Sequence, residues 1–299
     1  MERTTEARNP QTMHIDTMST ADVLNTINQQ DQSVPIAIGQ PEVMTSIKAF
    51  VDVVVDRLKH QGRLFYIGAG TSGRLGILDA AECVPTFGID PEMVQGLIAG
   101  GPGAMITAVE GAEDSKEGGE DDLRAHNLSK SDVVLGIAAS GTTPYVVGGL
   151  DYARSIGAAT GALSCNSSAL ISQHANIAIE VVVGPEVVTG STRMKAGTAQ
   201  KLVLNMISTA AMIKLGKVYG NLMVDVKPTN LKLVDRAKRI IQAATGVDYE
   251  TATHYLEAAE HRPKVAIVMI LGKVDEQTAD TALKQHDGFI AATIQHLIE

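Results

Sequence analysis

The stretch GAGTSGRLGILDAAE, Gly68–Glu82, decides the fold. Its first six residues spell G-x-G-x-x-G. The first three of them close RLFYIGAG, a short apolar run that reads as a buried strand, and SGRLGILDAAECV behind has helical spacing. Strand, glycine turn and helix open a βαβ unit. Farther on, EMVQGLIAG, SDVVLGIAAS, AATGALSC and IAIEVVVG read as four more strands. Helical or irregular pieces, GAMITAVEGAED and SKEGGEDDLRAHN, precede the third strand, and a helix over Pro144–Ile156 follows it. Strands alternating with helices predict right-handed crossovers. The class is α/β, with a doubly wound five-stranded parallel sheet.

The flanks are helical. Residues 1–18 read as an extended arm, and Ser19 caps a helix over STADVLNTINQQDQ. PEVMTSIKAFVDVVVDRLKHQG is a longer amphipathic helix closed by Gly62. From Ser191, STRMKAGTAQKLVLNMISTAAMIKLG gives a long helix, apolar nearly all round, suited to a central place or a subunit contact. The remainder reads as short helices to Glu299. The expected organisation is an N-terminal arm and helices at 1–50, a sheet domain at 51–225 and a small helical domain at 226–299.

Composition narrows the function. Apolar residues are 44% and aromatics 3%, so the core is aliphatic. The charge is −9 and there is no Lys/Arg run, which disfavours nucleic-acid and anionic-membrane partners. Cys83 and Cys165 are the only cysteines, and neither has a partner at metal-ligand spacing. With no apolar h-region at the N-terminus and no apolar run of membrane length, a cytoplasmic protein is expected. The eight histidines show no metal-binding spacing, and no G-x-S-x-G elbow occurs.

A dinucleotide turn needs an acidic residue at the end of the second strand to hold a ribose. Here that strand ends GLIAGGPG, and Asp90 and Glu92 lie before it. A phosphate asks for less: small residues for close approach, free amides at a helix start, and the favourable end of the helix dipole. Thr71 and Ser72 add hydroxyl donors in the first turn. The third strand leads into a similar turn, GIAASGTTPYVV, with Ser140, Thr142 and Thr143. One such pair of hydroxyls reads as helix capping. Two turns on parallel strands favour a shared phosphate ligand. No G-K-[ST] follows, so a nucleoside triphosphate is disfavoured.

A third hydroxyl cluster, TGSTRMKAGTAQK, holds Thr189, Ser191 and Thr192 where the fifth strand's loop becomes the long helix. Arg193 and Lys195 oppose the dipole preference there, so they read either as a solvated pair or as anion contacts. Glu82, in the apolar run LDAAECV, reads either as a buried ion pair or as a desolvated acid fit for proton transfer; Asp79 sits one turn earlier. VEGAEDSKEGGEDD is a dense acidic run, and spacing singles out no member of it.

GAGTSGRLGILDAAEC, GLIAGG, AVEGAEDS, GIAASGTTPYV, VVTGSTRMKAGTAQKLVLNM and GNLMVDV together resemble the N-acetylmuramic acid 6-phosphate etherases of the sugar isomerase (SIS) superfamily. The resemblance runs from about residue 15 to the C-terminus. It implies cleavage of the C3 D-lactyl ether of an amino-sugar phosphate, giving N-acetylglucosamine 6-phosphate and D-lactate in cell-wall recycling. Glu82 and Glu113 are implied as the two acid/base groups. Thr71, Ser72, Ser140, Thr142, Thr143 and Ser191 are implied as phosphate and sugar contacts. No metal and no cofactor is implied. A homodimer is implied, with a site that takes residues from both subunits. The same fold also serves non-catalytic sugar-phosphate regulators of the glucokinase-regulatory type and aldose–ketose isomerases, the two alternatives.

Overall fold

Each of the five apolar runs forms a strand in the computed structural model, which describes residues 3–228 and 230–299. β1 (Leu64–Gly68), β2 (Val94–Ile98), β3 (Val133–Ile137), β4 (Ala159–Ser164) and β5 (Ile177–Glu180) pair in parallel in the order β2-β1-β3-β4-β5. β1 and β3 are buried at every position, which is why they read as continuous apolar runs rather than alternating ones. The chain leaves β1 towards one edge and returns on its other side as β3. In the register Gly68 lies opposite Ile137, so the turns after β1 and β3 leave the sheet side by side. This reversal is where a doubly wound sheet opens its crevice.

Before the sheet come α1 (Thr20–Asp31), α2 (Ser33–Ile38) and α3 (Pro41–Lys59); the crossovers are α4 (Gly70–Phe87), α5 (Lys116–Ala125), α6 (Pro144–Ser155) and the single turn α7 (Leu170–Gln173). α3 buries Val43, Ile47, Phe50, Val51, Val54 and Leu58, one face at helical spacing. Phe65, Ile67 and Val134 share a core cluster with Tyr145, Val146 and Leu150 of α6. Each such side chain contributes roughly 1.5–3 kcal/mol by leaving water. Tyr66, between Phe65 and Ile67 in sequence, points the opposite way and donates to Asp79 of α4 at 3.0 Å.

The N-terminal arm is not extended. It makes three short 3-10 turns, at Thr4–Glu6, Pro10–Thr12 and Ile15–Thr17, and buries Thr5, Asn9 and Thr12. Hydrogen bonds explain the burial of polar residues. Asn166, just past β4, accepts from the Thr4 hydroxyl (2.9 Å) and donates to the Thr5 hydroxyl (2.9 Å). Asn9 donates to the Pro185 carbonyl and the Thr12 hydroxyl to that of Val187.

The long helix α8 (Lys195–Lys214) follows the sheet. A two-stranded hairpin, β6 (Val218–Tyr219) with β7 (Leu222–Met223), comes next around Gly220-Asn221, a turn signal not read from the sequence. α9 (Leu231–Thr245), α10 (Tyr249–Ala258), α11 (Pro263–Gly272), α12 (Glu276–Gln285) and α13 (Ile290–Ile298) complete the chain. Asn230, Asp248 and Asp275 cap α9, α10 and α12 through their side chains. Ala237, Ile241, Leu256, Val265, Ile267 and Leu283 form this region's own core.

The chain divides into two compact units. The sheet unit runs to Ala81 and resumes over Pro91–Ser208; the helical unit takes Glu82–Asp90 and Thr209–Glu299. Among the described residues no helix is long and apolar enough to cross a membrane.

Candidate active site

The first turn is built by close backbone approach. A Cβ on Gly73 would stand 2.6 Å from the Gly68 carbonyl oxygen and 2.6 Å from Ile98 Cγ1, so this position has room only for glycine. Gly70 takes φ +51°, which a side chain would disfavour. Thr71 and Ser72 then lie inside the first turn of α4, whose amides have no acceptor within the helix. Neither residue is its N-cap. Ser72 is buried and donates its hydroxyl to Gln200 Oε1 of α8 at 2.9 Å, which pins α4 to α8. Gln200 is itself fully buried, and its Nε2 has no partner among the described residues.

In the second turn the Ser140 and Thr142 hydroxyls lie 3.2 Å apart, and Gly141 between them takes φ +76°. Thr143 is the N-cap of α6, yet its side chain accepts no capping bond. Its hydroxyl is therefore not spent on the helix. Ser140 and Thr142 line a cavity of about 370 Å³ together with Asn166, Ser167, Ser168 and, from the arm, Arg3. Asn166 also donates to the Ala139 and Ser140 carbonyls at 3.2 Å, holding the β3 turn to the β4 turn.

Glu113 sits in a single 3-10 turn, Ala112–Asp114, entered through Gly111 in the left-handed conformation. It lines a smaller cavity, about 150 Å³, whose other walls include Ala69 and Gly70 of the first turn, Arg74 and Glu110. Arg74 is held there by its bonds to the Met105 (3.0 Å) and Ala104 (2.7 Å) carbonyls. The structure therefore brings Glu113 and the glycine turn to one cavity.

Glu82 is different. It lies twelve residues beyond Gly70 on α4, roughly 18 Å along the axis at about 1.5 Å per residue, and is exposed. The expectation of a desolvated Glu82 is corrected: the buried acid of this helix is Asp79. Three residues on, Glu82 stands about 60° round the helix from Asp79, on the side away from Gly76, which carries it over the edge of the buried face. Asp79 shares the inner face with Ser72, Gly76 and Cys83; Glu82 shares the outer one with Leu78, Ala81 and Pro85. Burial raises the Asp79 pKa, against hydrogen bonds from Asn205 (2.8 Å), Ser208 (3.1 Å) and Tyr66 (3.0 Å) that favour its charge.

The third cluster stands just before α8. Ser191 and Thr192 are half-buried in the loop. Lys195, the first residue of α8, turns inward. It is 3% exposed and its ammonium donates to Gln30 Oε1 at 3.2 Å. Burial lowers its pKa, against the fields of Glu186 and Asp31. Glu186, fully buried, accepts from the Lys195 and Ala196 amides at 2.9 Å each and so caps α8. Among the described residues no group of three or more His, Cys, Asp or Glu is placed to hold a metal.

Residues 43–154, which contain the first two turns, match the glucokinase regulatory protein N-terminal SIS domain. Over 291 residues the chain is 59% identical to an N-acetylmuramic acid 6-phosphate etherase of Oenococcus oeni, covering 97% of both chains. It is 60% identical over 286 residues to one from Exiguobacterium, covering 96% of this chain and 97% of that one. The chain belongs to the N-acetylmuramic acid 6-phosphate etherase family. Among solved structures, a phosphoheptose isomerase from Francisella tularensis has a TM-score of 0.52 at 17% identity, over 66% of this chain and all of that one. An Escherichia coli protein solved as a complex gives 0.51 at 16%, over 68% of this chain and 97% of that one. These likenesses carry the fold alone, and they extend it to about two thirds of this etherase-family chain.

Several residues that line these cavities or hold the turns and α8 in place escaped the sequence reading: Arg3, Arg74, Asn166, Glu186 and Gln200. For Asn166 a signal was available. SCNSS follows β4 as SGTT follows β3, a third small, polar turn at the same end of the sheet. Gln200 and Glu186 carry no such mark, since their importance lies in the partners they hold rather than in a local pattern.

Proposed function

We propose that the chain cleaves the lactyl ether of N-acetylmuramic acid 6-phosphate. The observation that carries this reading is the near-full-length identity of 59% to relatives named for that activity. The site chemistry agrees with it. A plain ether resists hydrolysis because an alkoxide leaves badly. In the ring-opened sugar, C1 is an aldehyde and its neighbouring C2 proton is acidic. A base removes that proton, the C3–O bond breaks, and an acid protonates the departing lactate oxygen. Water then adds at C3 and a proton returns to C2, which gives N-acetylglucosamine 6-phosphate and D-lactate. The reaction is a carbon–oxygen lyase step followed by hydration, and two carboxyl groups in different protonation states can run it without a metal.

In this proposal the amides of the α4 first turn, with Thr71, hold the phosphate, and Ser140, Thr142 and Thr143 supply further donors across the switch point. Ser72 serves through its amide while its hydroxyl holds Gln200. Ser191 and Thr192 contact the sugar, and Lys195 adds positive field at the start of α8. Glu113, beside the first turn, is the C2 base, and Glu82 is the acid for the lactate oxygen. Glu82 reaches the reaction from a second copy of the chain. Its flanking residues support this: Leu78 on its face is 51% exposed, and Val109, beside the Glu113 turn, is 49% exposed, apolar surface that a homodimer would cover. The compartment that fits is the cytoplasm, where a phosphorylated sugar is retained.

Incubation with N-acetylmuramic acid 6-phosphate should release D-lactate in amounts matching the N-acetylglucosamine 6-phosphate formed. Binding without lactate, at high protein concentration, would leave the regulator alternative. Conversion of an aldose phosphate to a ketose would favour the isomerase.

A further inference from the structure

We propose that the helical unit holds a second binding site, for a small phosphate-bearing anion, separate from the etherase centre. The unit contains a cavity of about 390 Å³, the size of small-ligand pockets, between the Val224–Pro228 segment, the start of α11 and the end of α12. It shares no residue with the cavities of the sheet unit.

Its walls are rich in positive charge. The chain as a whole carries −9, yet these walls bring together Lys217, Lys227, Arg262, Lys264 and Lys284 against Asp225 and Asp280. On one wall the charges balance: Arg262 pairs with Asp280 and Glu276, and Lys284 with Asp280. Among the described residues that line the other wall they do not. Lys264 and Lys217 share one oxygen of Asp225, at 2.6 and 3.1 Å. The Lys264 side chain is 12% exposed and that of Lys217 26%, so two cations crowd one carboxylate in a poorly hydrated place. Lys264 makes a further bond to the Gly216 carbonyl at 2.8 Å, and Lys227 adds its charge at the rim. Burial, and more weakly the neighbouring Lys217, disfavour the charged form of Lys264 against the pull of Asp225, and an anion between the lysines would add to that pull.

The backbone adds donors at the same place. α11 begins here, its N-cap Arg262 makes no side-chain cap bond, and Pro263 has no N–H. Lys264 and Val265, both lining the cavity, stand in the first turn of this ten-residue helix, where amides have no acceptor within the helix and the dipole is positive. Val224, Val226 and Leu283 offer apolar wall for the carbon part of such a ligand. Gly88, just past the end of α4, closes one side; a Cβ on it would stand 2.0 Å from the Asp225 carbonyl oxygen.

The test is an amide-resolved NMR titration of the full chain with inorganic phosphate at constant ionic strength. Saturable shifts are expected at Gly216, Lys264, Val265 and Gly288. Lys217→Met should weaken that binding about tenfold, since it removes one charged donor, and leave lactate release unchanged. Lys227→Met, at the exposed rim, should weaken it severalfold and serves if Lys217→Met fails to fold. Phosphate shifts confined to Thr71–Gly73 would overturn the proposal while leaving the etherase reading intact. So would unchanged phosphate affinity in a folded lysine variant.

Discussion

Asp79→Ala should be among the costlier single changes in the sheet unit, and Asp79→Asn nearly neutral. Asp79 is 6% exposed and accepts from the Asn205 amide at 2.8 Å, the Ser208 hydroxyl at 3.1 Å and the Tyr66 hydroxyl at 3.0 Å. Alanine removes the acceptor from two donors of α8 at once. Each buried donor so stranded costs about 1–3 kcal/mol. Relief of the carboxylate's own desolvation offsets part of this, leaving about 2–4 kcal/mol. Asparagine keeps Oδ1 for Asn205 and Ser208, and its amide can donate to the Tyr66 oxygen, so about 1 kcal/mol or less is expected. Urea unfolding followed by circular dichroism, with m-values compared, measures both. The pH dependence supplies a sign. Burial raises the folded pKa of Asp79, so its contribution is greatest below the unfolded pKa and falls as pH rises through the folded one. Asp79→Asn should therefore gain on the wild type as pH rises from about 4 towards neutrality. An alanine variant within about 0.5 kcal/mol of wild type would mean that Asn205 and Ser208 do not depend on this carboxylate.

Asp132 predicts the opposite pH behaviour. Burial opposes its charge, but bonds from the Arg63 side chain (2.8 Å) and the Ser129 and Arg63 amides outweigh it and hold its pKa below the usual range. Asp132→Asn should lose about 2–4 kcal/mol at pH 7, a deficit that shrinks as acid titrates the wild-type carboxylate, read by urea unfolding at several pH values. Gly73→Ala should cost about 1–3 kcal/mol and raise KM, because the new methyl meets the Gly68 carbonyl oxygen at 2.6 Å; unchanged kinetics would place the phosphate elsewhere. Mixing inactive Glu82→Gln and Glu113→Gln chains should restore about a quarter of wild-type lactate release if sites are shared across a two-fold dimer, because half the dimers regain one intact site. Sites contained within one chain would show no restoration.

The sheet was legible because burial on both faces writes strands as unbroken apolar runs, and the β1 and β3 turns were legible because close approach demands glycine. Position around a helix was harder. LDAAE holds two acids, and composition alone gave Glu82 the apolar surroundings that belong to Asp79. The arm was misread because Thr5, Asn9 and Thr12 bury themselves through bonds to Asn166, Pro185 and Val187, partners far along the chain. Glu113 was hidden in an acidic run, and only the family resemblance singled it out. The fold then sets it beside Gly70.

The proposed reaction begins with removal of the C2 proton by a carboxylate beside the first glycine turn. Turnover of N-acetylmuramic acid 6-phosphate in deuterium oxide, with mass and NMR analysis of the product, tests this directly. Elimination and readdition predict deuterium at C2 of every N-acetylglucosamine 6-phosphate formed. Lactate release with C2 still carrying its original proton would contradict it.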